Sequence, residues 1–297
     1  MAERPSLLIV GHGSRSAAGV AEYWDLARAV SEADPGLDVG CGFIELASPD
    51  LDTAVDRLVD RGAASVVAVP LVLLGAGHMK DDGPAALHRG RHRHPAVRFA
   101  YARHLGIHPS VLAVADERIR TAVGDGDRHP AQRPARGHAE TAVVLVSRGS
   151  SDPDANADLY KVARLLWDSR GLAMVEPAFV SLADPRVPAA LDRCRLLGAK
   201  RIVVVPYFLF TGILVDRIHD QVAEWAEAHP DIDARPGPHL GADPRIARLV
   251  LERYREALAG DAFMNCDLCV YRHPLPGYEH KHAHHHGEEV ISLGKHP

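Results

Sequence analysis

Long hydrophobic runs are absent from this sequence, and so is a strong excess of charge of either sign. The N-terminus has only a short apolar stretch before Gly11, which is too short for a signal-peptide core or a membrane span. The formal net charge is −5, from 34 Lys and Arg against 39 Asp and Glu. We therefore expect a cytoplasmic protein that binds neither a membrane nor nucleic acid.

Cysteine is scarce as well, with four residues in a chain of 297. Cys41 and Cys194 fall at core-like positions, and we interpret them as packing residues. Cys266 and Cys269 stand close together near the end, which in a reducing compartment favours a metal or redox site over a structural disulfide. Apolar content of 46% and charged content of 25% are those of a soluble globular protein, and the length allows two domains.

What the chain does contain is an internal repeat. An offset of 136 residues aligns the two halves without gaps for about 70 residues, so that Gly13 matches Gly149. Further matched pairs are Val10 and Val146, Phe43 and Phe179, Pro49 and Pro185, and Pro70 and Pro206. Three positions fail to repeat, because His12, Glu45 and His78 are replaced by Arg148, Ser181 and Leu214. A duplicated scaffold therefore carries these metal- or proton-competent side chains in one copy only.

Each copy alternates short buried apolar runs with segments of helical period, which predicts a parallel sheet with helices on both faces. The predicted strands are 6–11, 38–44, 65–73 and 96–101, then 142–147, 174–180, 201–209 and 233–235. The predicted helices include 50–61, 80–92 and 109–122, then 154–169, 186–197, 212–229 and 244–259. The fold class is therefore α/β, with two tandem flavodoxin-like domains and a Cys/His-rich C-terminal tail.

The domain boundaries follow from changes in composition. We predict a first domain at 1–123, a linker rich in Gly, Pro, Arg and His at 124–139, a second domain at 140–260 and a tail at 261–297.

The three unrepeated residues all follow predicted strands of the first domain. Ligands of open parallel sheets bind beyond the carboxyl ends of the strands, so we expect His12, Glu45 and His78 to project toward one edge. Imidazole and carboxylate bind divalent cobalt, iron, nickel or zinc, and both groups also take up protons. Taken singly, each residue has an ordinary alternative, as a hydrogen-bonded loop histidine or a helix-capping acid. Their joint loss from the second copy favours a functional site.

Three segments carry a resemblance to a known family. The stretches LLIVGHGSR (7–15), FIELASPDL (43–51) and VVAVPLVLLGAGHMKDD (66–82) resemble the sirohydrochlorin chelatases, which are class II tetrapyrrole chelatases. Both repeats and the tail resemble the long, CbiX-type cobaltochelatase form. The resemblance implies that His12, Glu45 and His78 form the catalytic and metal-binding site in domain 1–123. The second domain then lacks the catalytic residues and serves as support.

The implied reaction is ATP-independent insertion of Co²⁺ into sirohydrochlorin with release of two protons, as in anaerobic-type cobalamin biosynthesis. In this interpretation the histidines offer the metal as neutral ligands and Glu45 accepts protons. The segment GHGSR lacks the spacing and ending of a nucleotide-binding P-loop. Ser14, Arg15 and Arg148 are predicted to bind carboxylates of the substrate, although Arg148 has packing between the domains as an equal alternative.

The tail carries a separate signal. Cys266 and Cys269 supply two thiolates, whereas an iron–sulfur cluster ordinarily takes four. The resemblance implies such a cluster, completed by tail histidines or by a second subunit in a homodimer, with a zinc site or a redox dithiol as alternatives. A metal-gathering histidine tract is predicted at His280, His282, His284, His285 and His286.

Three other functions compete with cobalt insertion. The same ligands suit ferrochelation toward sirohaem or nickel insertion, because donor chemistry does not separate these ions. A non-catalytic metal carrier is a second alternative, with the histidine tract as its working part. A histidine-phosphatase-like enzyme is disfavoured, because such enzymes usually carry Arg-His-Gly and here Gly11 precedes His12.

Overall fold

A computed structural model describes residues 4–124, 138–168 and 171–264, together with 269 and 276. Strands and helices alternate through the first half. Its elements are β1 (Ser6–Gly11), α1 (Ala17–Ala33), β2 (Val39–Phe43), α2 (Leu51–Asp60), β3 (Ser65–Pro70), a π-helix (His78–Asp82), α3 (Gly83–Arg93), β4 (Arg98–Tyr101) and α4 (Pro109–Val123).

The second half repeats this order. After a short 3₁₀ turn (His138–Glu140), its elements are β5 (Thr141–Ser147), α5 (Pro153–Trp167), β6 (Met174–Phe179), α6 (Val187–Leu196), β7 (Arg201–Pro206), α7 (Ile213–Ala228), β8 (Asp233–Pro236) and α8 (Pro244–Ala259). Two parallel sheets result, with strand orders β2-β1-β3-β4 and β6-β5-β7-β8. The predicted α/β class with two tandem flavodoxin-like units is confirmed.

Most predicted bounds agree with the structure to within a few residues, and the largest differences follow the third strand of each half. The strands predicted at 65–73 and 201–209 end early, at Pro70 and Pro206. Proline has no backbone N–H to extend a ladder, and the Val72 N–H already turns back to the Pro70 carbonyl at 2.9 Å. Of the apolar residues that follow in the loops, Leu71, Leu73, Tyr207 and Leu209 are buried. The first three residues of the helix predicted at 80–92 belong to the π-helix, and α3 begins only at Gly83.

The two halves share one hydrophobic core. Helices α1, α4, α5 and α8 lie between the sheets, and their buried residues pack against the inner faces of both. Separate clusters cover the outer faces, one under α2 and α3 and one under α6 and α7. Burial of apolar surface from both halves in one cluster is the main stabilising term that joins them.

Polar contacts add directional ties between the halves. The Arg253 guanidinium on α8 is 1% exposed and donates to the His104 carbonyl at 3.0 Å and to the Leu105 carbonyl at 2.8 Å. On α1, Glu22 accepts from the Thr211 N–H at 2.7 Å and contacts His239 Nε2 at 3.0 Å. These bonds fix how loops of one half lie on helices of the other.

The chain divides into two units, with the boundary between Ala262 and Phe263. In the second, Cys269 is a free cysteine. The predicted tail residues Cys266, His280, His282, His284, His285 and His286 lie outside the described residues, as does most of the predicted linker. Among the helices that are described, none is long and apolar enough to span a membrane.

Candidate active site

The predicted site residues follow three neighbouring strands. His12 comes directly after β1, Glu45 lies two residues after β2, and His78 opens the π-helix that follows β3. These strands are adjacent in the order β2-β1-β3, and the order reverses between β1 and β3. Such a switch point is where open parallel sheets bind ligands. His78 is described by its backbone alone, so its inclusion in the site stays a prediction.

Backbone hydrogen bonds continue the pairing of β1 with β2 beyond the strands themselves. The Ile44 N–H donates to the Gly11 carbonyl at 2.9 Å, and the Glu45 N–H donates to the His12 carbonyl at 3.0 Å. The two loops therefore run side by side. As a result, His12 Nε2 lies 3.3 Å from Glu45 Oε1, with the two side chains 36% and 48% exposed.

A glycine allows this close approach. Gly13 has φ of +96°, and a Cβ atom there would lie 1.8 Å from the Glu45 carbonyl oxygen. No side chain fits that space, and the left-handed backbone favours glycine as well. The repeated glycine is therefore a requirement for bringing the second loop against the first.

The His12–Glu45 pair is suited to binding a cation. His12 Nδ1 lies 3.2 Å from the Gly13 carbonyl oxygen, which can only accept a hydrogen bond. The neutral imidazole that makes this bond therefore has its N–H at Nδ1. The lone pair is then on Nε2, toward the Glu45 carboxylate. Two acceptor atoms at this separation are bridged favourably by a proton or a divalent metal ion, and their partial exposure leaves a path for exchange with solvent.

The second half keeps the same loop geometry without these side chains. The Val180 N–H donates to the Ser147 carbonyl at 2.9 Å, and the Ser181 N–H donates to the Arg148 carbonyl at 3.1 Å. Gly149 again has positive φ, at +83°. Ser181 and the exposed Arg148 stand at the positions equivalent to Glu45 and His12. This edge of the second sheet therefore carries no imidazole–carboxylate pair there.

The predicted substrate-binding residues lie at two equivalent turns. Ser14 accepts from the Ser16 N–H at 3.0 Å just before α1, beside the exposed Arg15. Arg148 occupies the corresponding turn before α5. Across the described residues, His, Cys, Asp and Glu side chains form no group of three or more that could hold a metal, and the His78 side chain is not among those described.

Two residues near this edge were not singled out from the sequence. Lys80, in the π-helix, binds Asp152 and Asp154 of the second half. His104 follows β4, where burial, together with the charges of Arg253, Arg103 and Lys80, lowers its pKa to about 4. The tripeptide His-Leu-Gly occurs at 104–106 and again at 239–241, so His104 matches His239 at an offset of 135. This repeat is the sequence feature that could have pointed to His104. No local pattern marks Lys80, whose partners are 72 and 74 residues away.

Comparison with known proteins identifies close relatives. The CbiX family model matches residues 6–122 and 142–257. The chain is 37% identical to a sirohydrochlorin cobaltochelatase of Priestia megaterium, over 90% of this chain and 84% of that one. It is 30% identical to a sirohydrochlorin ferrochelatase of Bacillus subtilis, over 86% and 93%.

Two solved structures are similar to this chain over most of its length. SirB from Bacillus subtilis with Fe³⁺ superposes with a TM-score of 0.73 and 29% identity, covering 87% of this chain and 97% of that chain. The sirohydrochlorin chelatase SirB from Bacillus subtilis subspecies spizizenii in complex with cobalt superposes with a TM-score of 0.71 and 27% identity, with the same coverage.

The glycine at the loop contact generates a matched pair of variants. Gly13→Ala forces the β1 and β2 loops apart, whereas Gly149→Ala does so only in the second half, where the Cβ would lie 2.8 Å from the Ala183 nitrogen. We expect both to lower the free energy of unfolding by about 1 kcal/mol or more, measured in urea. Only Gly13→Ala should also weaken Co²⁺ binding in a calorimetric titration. Equal Co²⁺ affinity in the two variants would contradict the proposed role of the first loop contact.

The lowered pKa of His104 predicts a pH dependence of stability. In the unfolded chain His104 takes up a proton near pH 6.5, whereas in the folded chain it does so only near 4. Its contribution to stability is therefore complete above pH 6.5 and is lost as the pH falls toward 4.

The variant His104→Gln should remove this part of the pH dependence. We measure the free energy of unfolding of both proteins at pH 7 and at pH 4. We expect the decrease between these two pH values to be smaller for His104→Gln than for the wild type, by on the order of 2 to 3 kcal/mol. The exposed His92→Gln is the control and should follow the wild-type curve. Parallel curves for His104→Gln and the wild type would refute the buried neutral imidazole.

Proposed function

The chain belongs to the CbiX family, and we propose that it inserts Co²⁺ into sirohydrochlorin without ATP. The observation that carries the proposal is the nearly full-length likeness to a cobaltochelatase, at 37% identity over 90% of the chain. The His12–Glu45 pair beyond the carboxyl ends of β1 and β2, in one half only, supplies a matching chemistry. Iron insertion is the second candidate, because the ferrochelatase of Bacillus subtilis is also similar along most of its length.

The proposed mechanism uses the pair in two ways. His12, His78 and Glu45 first hold the incoming Co²⁺ on one face of the macrocycle, the histidines through neutral imidazole nitrogens. As cobalt forms bonds to the four pyrrole nitrogens, the two N–H bonds break and release two protons. Glu45 accepts these protons and passes them to water, which its 48% exposure permits.

The remaining assignments belong to the same proposal. Ser14, Arg15 and Arg148 bind substrate carboxylates, with domain 1–123 as the catalytic part and 140–260 as its support. A cytoplasmic location is expected. The iron–sulfur cluster at Cys266 and Cys269, and a homodimer bridged by it, stay predictions, because no described group supports them.

A spectrophotometric assay tests the activity. Purified protein is mixed with sirohydrochlorin and Co²⁺, Fe²⁺ or Ni²⁺ in the absence of ATP, and the initial rate is compared with the uncatalysed rate. We expect the largest acceleration with Co²⁺. Absence of acceleration with every ion would overturn the proposal, and a preference for Fe²⁺ would assign the second candidate.

Variants locate the chemistry within the chain. We expect His12→Ala and Glu45→Ala each to lower the insertion rate by about 10²- to 10⁴-fold, since each removes a group that acts on metal or proton. Ser181→Ala, at the position equivalent to Glu45, is the matched control and should retain the wild-type rate. Deletion of 261–297 should lower activity only in part, whereas a metal carrier acting through its tail would lose function.

A further inference from the structure

A buried ion-pair triad joins the π-helix to the second half of the chain. Lys80 Nζ lies 2.7 Å from Asp152 Oδ2 and 3.1 Å from Asp154 Oδ2. The three side chains are only 9%, 4% and 10% exposed, so solvent screens the contact weakly. Lys80 is two residues from His78 and belongs to the same π-helix.

The partners of Lys80 lie on a rigid element. Asp152 caps α5, where its other carboxylate oxygen accepts from the Asp154 N–H at 3.1 Å. Asp154 lies in the first turn of the same helix. Since α5 packs into the core shared by both halves, the two carboxylates are fixed relative to the first sheet.

The triad is absent from the equivalent place in the repeat. An offset of 136 places Asp216 opposite Lys80, Ser16 opposite Asp152 and Ala18 opposite Asp154. The corresponding loop of the second half is held instead by Glu22, which accepts from the Thr211 N–H. The ammonium-to-carboxylate triad therefore accompanies only the half that carries His12, Glu45 and His78.

Removing three charged side chains from water costs free energy, so the triad needs an explanation other than stability alone. Burial lowers the pKa of Lys80, but its hydrogen bonds to Asp152 and Asp154 outweigh that effect and raise it. Burial and the charge of Asp154 raise the pKa of the nearby Asp158. Apolar side chains of similar size often stabilise a fold as well as a buried ion pair does, so directional positioning is the better account of the triad.

The segment that Lys80 holds is also anchored by the buried side chain of Met79. Its backbone begins with two N–H groups that share one acceptor. Both Met79 and Lys80 direct their N–H groups to the single carbonyl of Ala76, at 3.0 Å each. The preceding loop contains Gly75 and Gly77, which restrict the backbone least. Single-turn π-helices are frequent at functional sites, where they place one side chain out of the regular helical phase.

We propose that Asp152 and Asp154 of the second half act through Lys80 to hold the π-helix, and with it His78, at the metal-inserting edge. Lys80 is thus a positioning residue, and the second half contributes two of its carboxylates to the geometry of the first. The inference rests on the proposed function. It also gives a reason for the chain to keep a half that lacks the site residues.

The test neutralises the triad without leaving a charge unpaired. In Lys80→Met/Asp152→Asn/Asp154→Asn the side chains keep their approximate size, and asparagine still caps α5. We expect the KM for Co²⁺ to rise, or kcat to fall, by about 10- to 100-fold in the sirohydrochlorin assay. The KM for sirohydrochlorin and the melting temperature should change little. The single variant Lys80→Arg, in which the guanidinium can still pair with both carboxylates, should keep most of the wild-type rate.

A second measurement separates positioning from general stability. If the triad acts through His78, then adding the three substitutions to His78→Ala should lower the rate no further. Glu117→Gln is the matched control, because it breaks the 2.6 Å contact with Arg245, another ion pair between the halves that involves no residue of the π-helix. It should leave both KM values and kcat unchanged.

Each outcome decides between the two claims. If the wild type inserts no metal, the proposed function fails. If the wild type is active and the triple variant has wild-type kinetics for Co²⁺, or if its effect adds fully to that of His78→Ala, the positioning role is overturned. Should the triple variant not fold, Asp154→Asn alone keeps the cap of α5 and is judged by the same two results.

Discussion

The candidate site depends on one backbone constraint, the continuation of strand pairing past the ends of β1 and β2. The bond from the Glu45 N–H to the His12 carbonyl holds two loops in register, and Gly13 lets them approach. The side-chain pair His12–Glu45 is a consequence of this contact, since both residues are attached to backbone that cannot separate. The backbone contact is shared by both halves, and the proposed chemistry depends on the two side chains that the first half carries there.

The repeat shows that the scaffold and the chemistry are separable. The second half keeps the loop contact and the positive φ at Gly149, yet it carries Arg148 and Ser181 in place of the pair. Its contribution is of another kind: one face of the shared core, and carboxylates aimed at Lys80. The second half therefore lacks the predicted site residues, and its proposed role is to shape the candidate site of the first half.

Sequence patterns were sufficient to predict the order of strands and helices in each half. Apolar runs such as 142–147 predicted buried strands, and comparison at a fixed offset isolated His12 and Glu45, which the structure brings to within 3.3 Å. Long-range features were not predictable in this way. The helix layer shared between the sheets, the π-helix at His78 and the pairing of Lys80 with Asp152 depend on packing between segments far apart in the chain. His104 was missed because the ungapped alignment at an offset of 136 does not reach it, and its match with His239 appears only at an offset of 135.

The central claim is that one edge of a duplicated scaffold receives the metal. Anomalous diffraction at the cobalt absorption edge, from crystals of the full chain exposed to Co²⁺, tests it most directly. We predict a cobalt peak within bonding distance of His12 and Glu45 and none at Arg148 and Ser181. A peak of equal height at the second edge, or no peak between His12 and Glu45, would contradict the account.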